Sequence, residues 1–192
     1  MLFGIFDLET TGLVPGYHEV IDACALLVDV GRADLPITIV REGGGRVLPE
    51  HPERIDPIAQ SVNGFNEEEW KKTARPILDV AREIWNVLNV VPAFEPPHSV
   101  RIIGSNPPFD RDFWKVTPHG WDIPLRHSID LAALAHPFEL AGIVDNVKLD
   151  TLCQAFGIEP RGGLRAHSAR ADCYRAFDVY MYLIRHLGVI AR

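Results

Sequence analysis

Cysteine is scarce. The chain has three, Cys24, Cys153 and Cys173, and no two stand at zinc-ligand spacing. A disulfide frame and a cysteine-based zinc site are thereby excluded. Each thiol lies in an apolar-patterned segment and reads as buried and reduced, which suits a reducing cytosol. Long apolar runs are lacking too. The longest, Ala23 to Val28 and Val179 to Ile184, hold six residues, where a membrane helix needs roughly 20. The N-terminus has no basic start followed by an apolar run and a small-residue cleavage site. No membrane partner is expected, and a cytoplasmic location is. Repeats, low-complexity tracts and linkers are also missing.

What is present is ordinary for a packed domain. Of 192 residues, 47% are apolar, 23% charged and 9% aromatic, which excludes a disordered or collagen-like chain. That length suits one well-buried domain over residues 1–192 and is short for two. The net charge of −7 argues against a long nucleic-acid footprint. Its distribution is uneven. From Arg161 onward six arginines face two acids, so that stretch carries +4 and the remainder −11. Fifteen of the nineteen basic residues are Arg. That bias suits bidentate phosphate contact, and a GC-rich genome produces it equally well.

Leu2 to Leu8 is short and mostly apolar, and Gly12 stops it; it reads as a strand buried on both faces. Glu19 to Val30 is a second strand. Gly31 to Asp34 turns the chain into a third, Ile37 to Arg41. Gly43-Gly44-Gly45 reads as a flexible break, followed by an irregular proline-rich stretch to Gly64. Asn66 can cap a helix with acids in its first turn, which Ile77, Val80, Ala81, Ile84, Trp85 and Leu88 continue at helical spacing. Val100 to Gly104 is a fourth strand and Arg126 to Ile129 a short fifth. Helices are expected over Pro107 to Val116, Asp130 to His136, Val147 to Phe156 and about Ala169 to His186. The last shows a clean stripe from Cys173 to Leu187, read as core. The pattern implies a mixed five-stranded α/β sheet, its first three strands an antiparallel meander, with helices on both faces.

Three segments carry chemistry. Asp7 and Glu9 stand two apart at a strand end and so share a face. Two adjacent carboxylates in apolar surroundings are costly, and a hard divalent cation removes that cost. The turn Thr10-Thr11-Gly12-Leu13 is expected to offer free backbone N–H groups beside them. Asn106-Pro107-Pro108-Phe109-Asp110 follows the fourth strand and puts Asp110 in the first turn of a helix. His167 and Asp172, five residues apart, would point roughly 140° away from each other on one helix. His167 is therefore expected on the loop before the last helix, made mobile by Gly162-Gly163, with Asp172 inside the helix. Four acids and a histidine are what two-metal phosphodiester hydrolysis needs: the acids place the ions and the histidine takes a proton from water. Arg165 and Arg170 flank His167, where they could meet phosphates or simply carry surface charge.

In order and spacing, Asp7-Leu8-Glu9-Thr10-Thr11-Gly12, Asn106-x-x-Phe109-Asp110 and His167-x4-Asp172 closely resemble the DEDDh family of 3′→5′ exonucleases. That group includes the bacterial polymerase proofreading subunit, RNase T and oligoribonuclease. Weaker matches are Asp56-Pro57-x-Ala59-x-x-Val62-Asn63-Gly64, Ser128-Ile129-Asp130 and Leu149-Asp150-x-Leu152-Cys153. The resemblance runs from Phe3 to about Leu183. It implies an RNase H-like fold and two divalent ions, Mg²⁺ or Mn²⁺, on Asp7, Glu9, Asp110 and Asp172, with His167 as general base. It further implies that Thr10 and Leu13 hold the terminal nucleotide, that Phe109 belongs to the substrate site and that Asn106 shapes it beside Asp110.

Two positions depart from many relatives, which have His where this chain has Asn63 and Ser105; substrate fit is the property at stake. The expected partner is a single-stranded 3′ end, DNA ahead of RNA on likeness to the proofreading subunit. The chain stops at Arg192 with no polymerase-holding tail in view, which favours a free-standing nuclease. A polymerase-docked subunit, an RNA-trimming exoribonuclease and a catalytically silent nucleic-acid-binding domain stand as alternatives. RNase T-like relatives dimerise, so a homodimer is possible, though no feature of the sequence proves it.

Overall fold

The computed structural model describes residues 2–30, 37–90, 98–125 and 127–187. Three strands open the chain: β1 (Leu2–Thr10), β2 (Val20–Asp29) and β3 (Thr38–Arg46). Three helices follow, α1 (Pro57–Asn63), α2 (Glu67–Lys71) and α3 (Ile77–Leu88). A two-residue ribbon pairs β4 (Asn89–Val90) with β5 (His98–Ser99). Then come β6 (Arg101–Gly104), α4 (Pro107–Val116), β7 (Ile129–Asp130), α5 (Leu131–Leu140), α6 (Leu149–Phe156) and α7 (Ala169–His186). The main sheet is mixed and five-stranded, in the order β3-β2-β1-β6-β7. β1 to β3 form the antiparallel meander, and β6 and β7 add in parallel. This is the expected RNase H-like arrangement.

The period of two along β1 decides where the layers sit. Phe3 and Ile5, with Cys24, Leu26 and Val28 of β2, pack against α5, α6 and α7. Phe6 and Leu8, with Ala23, Ala25 and Leu27, pack against α3 and α4. The stripe on α7 is core from Cys173 to Ile184, with Cys173, Ala176, Phe177, Tyr180, Leu183 and Ile184 all buried; Leu187, past the helix end, is exposed and not part of it.

The structure corrects several expectations. The glycine run is no break. Gly43, Gly44 and Gly45 lie inside β3, opposite Ala25, Cys24 and Ala23. Gly44 has φ of 138°, and a Cβ there would come within 2.1 Å of the Ala23 carbonyl oxygen. Only glycine lets the edge strand approach this closely. The stretch before Gly64 is not irregular throughout. Asp56 accepts from the N–H groups of Ile58 (2.7 Å) and Ala59 (3.2 Å), Pro57 starts α1, and Gly64 ends it in the left-handed region. The helix begun at Asn66 does not run on to Leu88. Pro76 has no N–H and bars a helical residue before it. The linking segment instead docks on the sheet, Arg75 N–H donating to the Arg46 carbonyl at 2.9 Å.

Element ends shift by a few residues elsewhere. β1 reaches Thr10, and α5 runs on to Leu140 through Pro137. The expected turn at Gly31 to Asp34, and Arg126, lie outside the described residues.

Candidate active site

Asp7 and Glu9 continue the row that Phe3 and Ile5 begin, so they face α7. They stand opposite Cys24 and Asp22 of β2. The pairing of β1 with β6 ends at Ile5 and Ile103, which leaves the N–H of Leu8 beyond its neighbouring strand. Asp110 fills that gap: from the first turn of α4, its Oδ1 accepts from Leu8 N–H at 3.0 Å. A backbone bond thus pins the third acid beside the first two.

The fourth comes from α7. Ser168 is its N-cap, its hydroxyl accepting from Ala171 N–H at 3.3 Å. His167 therefore lies on the preceding loop and Asp172 in the first turn, as the angular argument requires. His167 has a left-handed φ of 59°, a costly conformation for a residue with a Cβ. Its ring lies over the helix start, Nδ1 3.7 Å from Asp172 Oδ2 and Nε2 3.5 Å from Asp150 Oδ2. Glu9, His167 and Asp172 each offer a ligating atom within 4.8 Å of the others'.

The electrostatics are those of crowded acids in little water. Burial, then the charges of Asp110, Asp172 and Glu9, push the Asp7 carboxyl well above its usual range. Burial, then Asp172, Asp22 and Asp110, raise Glu9 to about 8. Burial also raises Asp110 against the Leu8 hydrogen bond, and Asp172 against its bonds from Arg175. The charged form of each carboxyl is thus disfavoured, a cost that bound cations remove. The donor set is oxygen-rich and hard, so these residues fit divalent cations of the Mg²⁺ or Mn²⁺ kind.

The remaining expected residues divide. Thr10 is buried; its hydroxyl donates to the Gly12 carbonyl at 2.6 Å, and its own carbonyl accepts from Asn63 Nδ2 at 2.9 Å. The turn is less open than expected. Thr11 N–H donates to the Glu19 carbonyl at 2.8 Å, because the meander keeps pairing past the bulge at Glu9/Thr10. Gly12 packs so closely on the His18 ring that a Cβ would come within 2.4 Å of it. Leu13 then projects from the loop tip, 78% exposed. Asn106, also left-handed, donates its N–H to Asp130 Oδ1 at 3.4 Å, which ties α4 to the start of α5. Phe109 is partly buried against Phe113, ring centroids 4.8 Å apart. The Arg165 guanidinium lies over the Gly64 backbone, close enough to Glu9 to oppose its upward shift. Arg170 is not brought to the acids. Its Nε is 2.5 Å from Glu42 on β3, since the residue after Ala169 points along the sheet edge.

Four further residues have a part in the site that the sequence assigned to none of them. Asp22 is buried, its carboxyl raised to about 6 chiefly by burial, and the Ala169 N–H hydrogen-bonds it at the start of α7. A lone acid in the apolar run from Val20 to Val28 was the available signal. Asn63 stood in a weaker motif match and as a departure, with no role assigned, yet its side chain holds both Thr10 and Phe65. Asp150 and Arg175 form a second layer behind His167 and Asp172.

The chain resembles solved structures at low identity. E. coli exonuclease I, in a zinc-bound complex with single-stranded DNA, matches with a TM-score of 0.69 and 21% identity, over 96% of this chain and 40% of that one. The same enzyme with a dA16 oligonucleotide gives 0.66 and 19%, over 96% and 41%. A full-length 3′-exonuclease gives 0.65 and 16%, over 96% and 82%. This chain thus spans about two fifths of the length of exonuclease I. Among curated protein sequences none matches. The structural likeness establishes the shared fold. The sequence pattern of the exonuclease family, RNase T type, runs through residues 5–180, nearly the whole chain, and the protein belongs to that family.

Proposed function

We propose that this chain is a 3′→5′ exonuclease of the DEDDh type, a single domain that hydrolyses phosphodiester bonds at single-stranded 3′ ends and releases nucleoside monophosphates. DNA is favoured over RNA. Asp7, Glu9, Asp110 and Asp172 would hold two divalent ions, Mg²⁺ or Mn²⁺, which when bound supply Lewis acidity and a water of lowered pKa. His167 is the general base, taking the proton of the attacking water. Thr10 and Leu13 position the terminal nucleotide, Leu13 by apolar contact with the last base. Phe109 and Asn106 shape the floor beside Asp110, and Arg165 meets a phosphate.

The observation that carries this reading is the convergence of four acids and one histidine from a strand end and two helix starts. Two of the acids, Asp7 and Glu9, are pushed up by the other acids of the set as well as by burial. The choice of DNA is supported by the exonuclease I structures, which hold single-stranded DNA. The net charge of −7 supports a footprint of a few terminal nucleotides, where bound ions and a few arginines supply positive charge.

The test is digestion of matched 5′-labelled DNA and RNA strands with Mg²⁺. A ladder shortening from the 3′ end, faster on DNA and abolished by EDTA, is expected. Shortening from the 5′ end, or cleavage indifferent to EDTA, refutes the reading. His167→Ala should slow turnover by ~10²–10⁴-fold while retaining the Mg²⁺-induced rise in melting temperature.

A further inference from the structure

Behind the four acids lies a set of groups the proposed chemistry does not use. Arg175 projects from α7 with its side chain only 7% exposed, a burial no arginine tolerates unpaired. It is paired twice. Nη1 donates to Asp172 Oδ1 at 2.8 Å and Nη2 to Asp150 Oδ1 at 2.5 Å. The second oxygen of each carboxylate faces one nitrogen of His167: Asp172 Oδ2 faces Nδ1 at 3.7 Å, Asp150 Oδ2 faces Nε2 at 3.5 Å. Arg175, Asp172, His167 and Asp150 thus close a ring that joins α6, α7 and the loop before α7. Arg175 Nε is buried with no hydrogen-bond partner among the described residues; the planar fork is spent on the two carboxylates.

Within this ring the two acids are not equivalent. Asp172 is buried beside Glu9, and its Oδ2 is the oxygen left for a cation. Asp150 stands on the outer side of the imidazole with its side chain 58% exposed. An ionised carboxylate only accepts hydrogen bonds, and a neutral imidazole donates from one nitrogen and accepts at the other. We propose that Asp150, held by Arg175, is a positioning residue for His167: it receives the Nε2–H and so fixes the neutral ring with Nδ1 as the basic nitrogen facing the acid cluster. This rests on the reading of His167 as general base. The neighbour sets which nitrogen works, as second partners do for histidines in other sites.

The test compares wild type with Asp150→Ala and Asp150→Asn. Asp150 is largely exposed, so both variants should fold, and a thermal melt checks this. The first readout is the long-range ¹H–¹⁵N spectrum of His167 at alkaline pH with saturating Mg²⁺ and no nucleic acid. Wild type should show the Nε2–H tautomer, and Asp150→Ala should lose it. The second is kinetic. Asp150→Ala should lower kcat by about 10–100-fold and leave both KM for a labelled oligonucleotide and the Mg²⁺ midpoint within about twofold, as expected when no substrate contact or metal ligand is lost. Asp150→Asn, whose single carbonyl oxygen can accept from His167 Nε2 or from Arg175 Nη2 but not from both, should keep the tautomer in part and fall between wild type and Asp150→Ala in rate. An unchanged tautomer and kcat in Asp150→Ala overturns the proposal. So does a KM or Mg²⁺ midpoint that moves in step with kcat, since Asp150 would then act on substrate or metal. If wild type cleaves nothing, the exonuclease reading fails by itself, and the spectra still decide the positioning.

Discussion

The two faces of β1 are built from alternate residues and do opposite work. Toward α3 and α4, Phe6 and Leu8 carry the apolar row as far as Thr10, and nothing titratable interrupts it. Toward α7, Phe3 and Ile5 give way to Asp7 and Glu9, whose carboxyls are driven up by burial and by one another. Each large side chain buried on the first face contributes roughly 1.5–3 kcal/mol, and the second face draws on that stability to hold like charges together. Stability and chemistry are thus divided by the parity of the residue number, and substitutions on opposite faces should have opposite effects.

The largest effect expected is from Asp7→Asn. Cleavage should disappear, while the metal-free protein melts higher than wild type because one crowded anion is gone; an activity assay beside a thermal melt reads both. Leu27→Ala should do the reverse. Leu27 is buried on the α3 face at the end of the sheet away from the acids. The cavity should cost about 2–5 kcal/mol, seen by chemical denaturation, with turnover unchanged well below the melting temperature.

A smaller effect is the pH dependence of the metal-free protein. Glu9 sits at about 8 and Asp22 at about 6, with Asp7, Asp110 and Asp172 also raised. The folded state therefore binds protons more tightly than the unfolded chain. The contribution of these groups to stability is greatest at low pH and falls as pH rises from the unfolded carboxylate range, roughly 4, through 6 for Asp22 and 8 for Glu9. Melts from pH 5 to 8 should show this decline, and saturating Mg²⁺ should flatten it by mass action. The smallest effect separates two arginines. Arg165→Ala should reduce the salt dependence of single-strand binding by about 0.7 in log–log slope. Arg170→Ala should leave it unchanged, because Arg170 is already paired with Glu42.

The acid-bearing face was legible because strand alternation and helix angles are rigid rules. Asp7 and Glu9 had to share a face, and His167 had to precede α7 if Asp172 was in it. The helices at Pro107–Val116 and Ala169–His186 were bounded by clear caps and stripes. What escaped was set by partners distant in sequence. Gly43 to Gly45 look flexible in isolation, and only the approach of Ala23 makes them a strand. The segment from Asn66 to Leu88 keeps helical spacing on both sides of Pro76, so the apolar period hid the break. Asp56, Pro57 and Gly64 did signal α1, but surrounding prolines masked the signal. Arg175 lies three residues after Asp172, a spacing that lets side chains meet; its fork to Asp150 depends on how α6 packs on α7, which no local pattern encodes.

The closely paired glycine strand has one more consequence. β3 is an outer edge of the sheet, and an open edge is a template onto which other chains can add. At Gly44 that edge is already used up. Its N–H donates to Glu83 Oε2 at 3.2 Å, and its carbonyl accepts from Arg75 Nη1 at 3.2 Å. Arg75 and Glu83 are themselves locked by two bonds, of 3.0 and 2.5 Å. An incoming strand would have to break that clasp before it could find a donor or acceptor there. The pair thus guards this stretch of the edge against strand addition.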